Sequence, residues 1–174
     1  DFAPYIFRTD DYGSSWSLVT DGIPGDFPVR TVREDAEQED LLFAGTEYGL
    51  FVSFNGGGAW QSFQQNLPIT PVSGMRVAHN DLIISTQGRS FWILDDISPL
   101  RELTAAVGAG AHLFKPRDEY RLTNVGPTFL AELAPEPRPA GAQLHYWLVE
   151  GHEGDVRIDV VDARRATAAG LWAR

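Results

Sequence analysis

Thr9-Asp10-Asp11-Tyr12-Gly13-Ser14-Ser15-Trp16 and Ser53-Phe54-Asn55-Gly56-Gly57-Gly58-Ala59-Trp60 share one pattern, Ser/Thr-x-Asp/Asn-x-Gly-x-x-Trp, and their tryptophans stand 44 residues apart. Self-similarity at a fixed spacing is the first thing to look for in a chain, because it marks architectures built by stacking one unit. Short apolar runs flank both copies: Tyr5-Ile6-Phe7 and Leu18-Val19 around the first, Leu50-Phe51-Val52 and Phe63 around the second. Each copy therefore reads as the turn of a hairpin. An Asp or Asn side chain folds back onto the following backbone amides, and Gly two positions on supplies a positive-φ conformation. The hydroxyl two places before the Asp or Asn braces the same turn, and the Trp three after the Gly is expected to return to the sheet and bury its ring.

A weaker third copy follows. Leu41-Leu42-Phe43-Ala44-Gly45-Thr46 aligns with Asp81-Leu82-Ile83-Ile84-Ser85-Thr86, and Gly49-Leu50-Phe51-Val52 with Arg89-Ser90-Phe91-Trp92, which runs on into Ile93-Leu94. Its turn, Asp95-Asp96, has lost the Gly and the Trp. Val29 to Arg33 and Met75 to Ala78 each add a strand between copies. About four strands per 40 to 45 residues is the period of a propeller blade, whose sheet cannot bury both faces without neighbours. Residues 1 to about 98 supply two to three blades, and a closed ring takes at least about four. The remaining blades are expected from sequence outside these 174 residues or from another chain, and the opening Asp1 to Pro4, with neither an initiating methionine nor a signal peptide, reads as mid-protein.

Beyond Leu94 the texture changes. Ser98 before Pro99 predicts a helix over 99–107, with the serine as cap and Gly108-Ala109-Gly110 as its end. His112-Leu113-Phe114 predicts a further strand, and Pro135-Glu136-Pro137-Arg138-Pro139 a stiff extended linker. Gln143 to Val149 and Asp155 to Asp162 read as two more strands, whereas Arg164 to Arg174 shows no strand pattern and reads as a truncation scar or a frayed tail.

At these residues the chain resembles the bacterial Asp-box proteins, related to the neuraminidase (BNR) repeat and to sortilin-like propellers. The likeness is best across residues 1–122. Gly88-Arg89-Ser90-Phe91-Trp92-Ile93-Leu94-Asp95-Asp96 with Pro99-Leu100-Arg101 is similar to the stretch that ends the propeller in large glycosyl-hydrolase-like bacterial members, and Leu113-Phe114-Lys115-Pro116-Arg117 to their exit segment. The resemblance implies an all-β chain: a partial β-propeller with Asp-box hairpins over 1–122, a Pro-rich linker over 123–143, and over 144–174 the opening of an immunoglobulin-like β-sandwich. It also implies export to the periplasm or beyond. Activity is not implied, since such propellers include sialidases, xyloglucan-cleaving enzymes and sorting receptors.

The composition narrows the partners. Twenty-four acidic against fourteen basic residues give a net charge of −10, which repels phosphate backbones and anionic lipid. Nucleic acid and membrane insertion are not expected, and no apolar run nears the roughly 20 residues of a span. With 43% hydrophobic residues, five Trp and ten Phe, the chain can bury a core, and without cysteine it has no thiolate or disulfide chemistry.

No catalytic constellation emerges. Asp10, Asp11 and Asn55 lack the closing Glu of a calcium loop and read as turn residues. Glycoside hydrolysis needs two carboxylates about 5 to 9.5 Å apart, and Glu34, Asp35, Glu47, Asp95 and Asp96, each flanked by apolar strand, read as turn closers. Arg89 suits a carboxylate or a sugar acid, although the three arginines that hold a sialidase substrate cannot be assembled here; pairing with a neighbouring acid or packing on Phe91 or Trp92 is the simpler reading. Tyr48 beside Glu47 imitates a nucleophilic Tyr/Glu pair but fits a turn aromatic. His79, His112, His145 and His152 show no metal-ligand spacing. The expectation is a binding or scaffold module for a glycan or protein, with no catalytic, cofactor or metal residue assigned. A glycoside hydrolase whose site lies mostly in absent blades, and a fragment without autonomous function, are the alternatives.

Overall fold

The computed structural model describes residues 2–119, 141–161 and 167–173. It is all-β apart from one helix. Strands β1 (Phe7–Arg8) and β2 (Ser17–Leu18) form a short hairpin; β3 (Val29–Glu34), β4 (Leu42–Thr46), β5 (Leu50–Ser53) and β6 (Gln61–Ser62) form a four-stranded antiparallel meander; β7 (Val72–Ala78), β8 (Asp81–Thr86) and β9 (Phe91–Leu94) form a three-stranded one. Helix α1 (Ser98–Ala109) follows, then β10 (Ala111–Leu113), β11 (Tyr146–Leu148), β12 (Val156–Val161) and β13 (Thr167–Ala173), with β10 on β11 and β12 on β13 as antiparallel pairs. Among the described residues no sheet closes on itself.

The four-stranded sheet sits in the middle, and every residue of β5 and nearly every residue of β4 is buried. Strand alternation sends Leu50, Val52 and Phe43 to one face, where they meet Val72, Met75, Leu82, Ile84 and Ile97 of the following unit. Ala44 and Phe51 face the other way, against Ile23 and Trp60, with Ile6 and Phe27 at the margin. A sheet buried on both faces needs continuous apolar strands, and Leu-Leu-Phe-Ala and Leu-Phe-Val provide them. Gly45 admits the next unit closely: a Cβ there would lie 2.5 Å from Val72 Cγ1.

The repeat extends further than the two turns. Ile23 and Leu67, both buried, close matching turns by donating their amides to Thr20 O and Gln64 O at 3.0 and 2.9 Å. Strands β3 and β7 each carry a bulge near their start, at Val29/Thr31 and Val72/Gly74. Glu47 N–H to Pro28 O and Gln87 N–H to Pro71 O likewise correspond. The third unit stops after its third strand, so β9 has no counterpart of β6 among the described residues.

Helix α1 runs Ser98–Ala109, longer than the expected 99–107, and ends at Gly110 with φ +76°. Its start is built differently from the expectation. Ser98 does not cap; it donates its amide and hydroxyl to Asp96 Oδ1 at 3.2 and 2.6 Å, and Asp96 holds a φ of +58°. Arg101 then locks the helix to the sheets. Its guanidinium donates to both carboxylate oxygens of Asp35, at 3.0 to 3.2 Å, to Glu37 and to Asn80 Oδ1, while Asp35 also accepts the amides of Glu37 and Gln38.

The C-terminal strands depart from expectation at one point. Residues 167–173, read as part of a truncation scar or a frayed tail, form β13 and pair along the whole of β12; the masking signal was composition, since Ala and Gly hide the alternation on which strand reading depends. Strand β11 pairs with β10 rather than with β12, joining residues on either side of the Pro-rich stretch. That stretch, Pro135–Pro139, lies outside the described residues.

Two outcomes test this account. Arg101→Ala leaves the Asp35 carboxylate, whose side chain is 0% exposed, without its counter-charge, and equilibrium urea denaturation is expected to show a loss of about 3–5 kcal/mol. Gly22→Ala places a Cβ 2.0 Å from Trp60 O at a φ of +93° and is expected to cost more than about 1 kcal/mol, whereas Gly25→Ala, which meets nothing within 4 Å, should be near neutral.

Candidate functional site

The two turns are the same object built with different side chains. In the first, Thr9 Oγ1 donates to Asp11 Oδ1 at 2.9 Å and accepts the Gly13 amide at 2.8 Å, and Asp11 Oδ1 accepts the Ser15 amide at 2.8 Å. In the second, Ser53 Oγ donates to Asn55 Oδ1 at 2.9 Å and accepts the Gly57 amide at 2.9 Å, and Asn55 Oδ1 accepts the Ala59 amide at 2.8 Å. Gly13 and Gly57 hold φ of +90° and +89°. The hydroxyl and the oxygen of Asp or Asn thus replace backbone partners that a sharp turn leaves unpaired.

The tryptophans part company. Trp60 is buried at 5% exposure, donating Nε1 to Val19 O at 2.9 Å and its amide to Asp21 O at 2.8 Å. Trp16, expected to bury, is 60% exposed and donates Nε1 to its own turn, at Gly13 O. The reason is positional: Trp60 has the Val19–Gly22 segment of the preceding unit to lie against, and Trp16 has no such segment among the described residues.

Most of the candidate acids are engaged in local or long-range contacts. Asp10 pairs with Arg8 at 2.8 Å, and Asp11 takes a second oxygen bond from Ser15 Oγ. Asp35 belongs to the Arg101 lock, Asp96 to the start of α1, and Glu34 accepts the Asp40 amide at 3.3 Å. Asp95 is exposed. Asp81, not singled out by sequence, accepts from Arg117 Nη1 at 2.7 Å and from the Asp96 amide; nothing in its flanking residues signals that role. Among the described residues no three His, Asp or Glu side chains gather as a metal site.

His112 packs edge-on against Phe114 and shares a 2.7 Å hydrogen bond with Glu102 of α1. His79 lies in the β7–β8 turn, where it and Asn80 both take positive φ, and His145 and His152 lie on the loops around β11. Arg89 is exposed in the β8–β9 turn, where its carbonyl accepts Trp92 Nε1–H at 2.8 Å.

At the opposite end of the four-stranded sheet from the Asn55 turn, the β4–β5 connection carries the residues best placed to meet a ligand. Tyr48 is 44% exposed and rests on Phe27, ring centroids 4.7 Å apart, and Phe27 stands edge-on to Phe51. Beside it Glu47 is ion-paired with Arg30. The hydrogen bond from that guanidinium draws the Glu47 carboxyl below its usual range, and the same bond raises Arg30. An ionised, occupied Glu47 is a poor general acid; the pair is a polar rim to an aromatic surface. Two open grooves of about 270 and 300 Å³ border Tyr146, Leu148 and Val156 between the C-terminal strand pairs. Neither contains any of the acids weighed above.

Asp11 is the acid most displaced. Hydrogen bonds from the Ser15 hydroxyl and amide, then from Thr9, lower its carboxyl from 3.8 to about 2. A folded-state value below the unfolded one stabilises the turn in full above pH 3.8, and that contribution is lost as pH falls through about 2. The Ser15 amide resonance is expected to titrate with a midpoint near 2, while the Ala59 amide, held by the non-titrating Asn55, stays still; an equal acid response at both turns would refute this assignment.

Comparison with protein-family models, with curated proteins and with solved structures finds no match for the chain.

Proposed function

We propose that the chain is part of a repeat-built β-propeller of the Asp-box kind that serves as a binding or scaffold module for a glycan or a protein surface. The correspondence of turns at a spacing of 44 residues, and of bulges and interstrand bonds at 40 to 43, supports the blade reading, with β3–β6 as one complete four-stranded blade, β1–β2 as the outer hairpin of the one before and β7–β9 as a shortened third. The C-terminal pairs are read as the opening of an immunoglobulin-like sandwich, for which β12–β13 supplies a first antiparallel pair. Among the described residues no helix is long and apolar enough to cross a membrane.

One observation carries the binding reading: Tyr48 stands out on Phe27 at the sheet end, rimmed by the Arg30–Glu47 pair. An exposed aromatic plane supported from beneath offers a sugar ring or an apolar side chain a rigid surface at little entropic cost, and the ion pair offers both donors and acceptors around it.

A glycan array followed by calorimetric titration of the best binder tests this. Binding is expected, and Tyr48→Ala is expected to weaken it by at least about tenfold, a loss of about 1.4 kcal/mol. Unchanged affinity in Tyr48→Ala removes the β4–β5 end from the site. Release of reducing sugar from the bound glycan would favour a glycoside hydrolase instead.

A further inference from the structure

The two turns present the same knob, and among the described residues only one has a socket. Trp60 shows what the socket is: Val19 O takes the indole N–H, Asp21 O takes the Trp60 amide, Val19 Cγ2 lies 3.1 Å from where a Cβ on Gly57 would stand, and Gly22 admits the Trp60 carbonyl so closely that a Cβ would meet it at 2.0 Å. Around Trp16 the corresponding face is open, with Phe7, Tyr12 and Leu18 also exposed. Contiguous apolar exposure of this kind marks an interaction surface.

We propose that this face docks one further repeat unit of the same build, whose counterpart of Val19–Gly22 receives the Trp16 indole. The inference rests on the repeat-module reading and adds the partner and its chemistry: an apolar residue whose carbonyl accepts Trp16 Nε1–H, a second carbonyl two residues on for the Trp16 amide, and then a Gly. A second copy of this chain does not provide it. Its own Val19–Gly22 is occupied by Trp60, and the next equivalent segment, Phe63–Asn66, carries Asn at the position of Gly22 and places its positive φ on Gln65 instead.

The test is a chain in which residues 1–44 are duplicated ahead of Asp1, with Trp16→Phe in the copy only. This sets the copied Val19–Gly22 at the same sequence distance before Trp16 as the original lies before Trp60. Acrylamide quenching is compared with and without Trp16→Phe in the original position. In the 174-residue chain that substitution is expected to remove a readily quenched emission; in the extended chain it should remove one quenched at least about threefold less, and Gly22→Val in the copy should restore accessibility. Trp16 remaining as accessible in the extended chain as in the parent would overturn the proposal. So would light scattering that shows a parent dimer dissolved by Trp16→Asp, since the face would then belong to a second copy. Failure of glycan binding leaves this readout unmoved, so the two readings can fail separately.

Discussion

Strands β4 and β5 have almost no face left for water, and this constraint organises everything around them. Leu50, Val52 and Phe43 on one side and Ala44 and Phe51 on the other can leave solvent only if something is laid over each. Ile6 and the 19–27 segment cover one face, and the three-stranded sheet covers the other. Apolar burial at about 25 cal/mol per Å² rewards that stacking, but it is indifferent to register. Register comes from the glycines at closest approach, Gly22 under Trp60 and Gly45 under Val72, where any side chain would hold the layers apart.

Polar contacts divide the remaining work. The Asp35 carboxylate is enclosed, and Arg101 and two backbone amides meet it there. Such a pair contributes less to net stability than its geometry suggests, since desolvation opposes the attraction; what it fixes is the direction in which α1 leaves the third unit. Asp96 and Asp81 perform the same service at the start of the helix and around Arg117.

Much of this was legible in the residues, for identifiable reasons. The hydroxyl, the Asp or Asn, the Gly and the Trp each have one stereochemical job in the turn, so a spacing pattern suffices to find it, and the strands between copies show through as apolar runs. Three things were hidden. The exposure of Trp16 depends on a neighbour and cannot be read from its own turn. The roles of Asp35 and Asp81 depend on Arg101 and Arg117, tens of residues away, and no local pattern announces a long-range ion pair. Strand β13, written in Thr, Ala and Gly with one Leu and one Trp, lacks the alternation that identified β12. The aromatic surface at Tyr48 lay in plain sight but became a surface only when Phe27 was seen beneath it.

The Asn55 turn has a further consequence, concerning how the chain ages. Asn followed by Gly is the dipeptide that most readily loses ammonia, because the Gly amide nitrogen attacks the side-chain carbonyl to close a succinimide. Here the Gly56 N–H is tied to Asp40 O at 3.0 Å, and Asn55 Oδ1 is held by Ser53 and Ala59. The hydrogen bonds that shape the turn hold both reactants of that cyclisation in place. Hydrolysis to Asp would merely recreate the chemistry of the first turn, whereas the isoaspartyl product would lengthen the backbone by one atom inside a loop that has no slack.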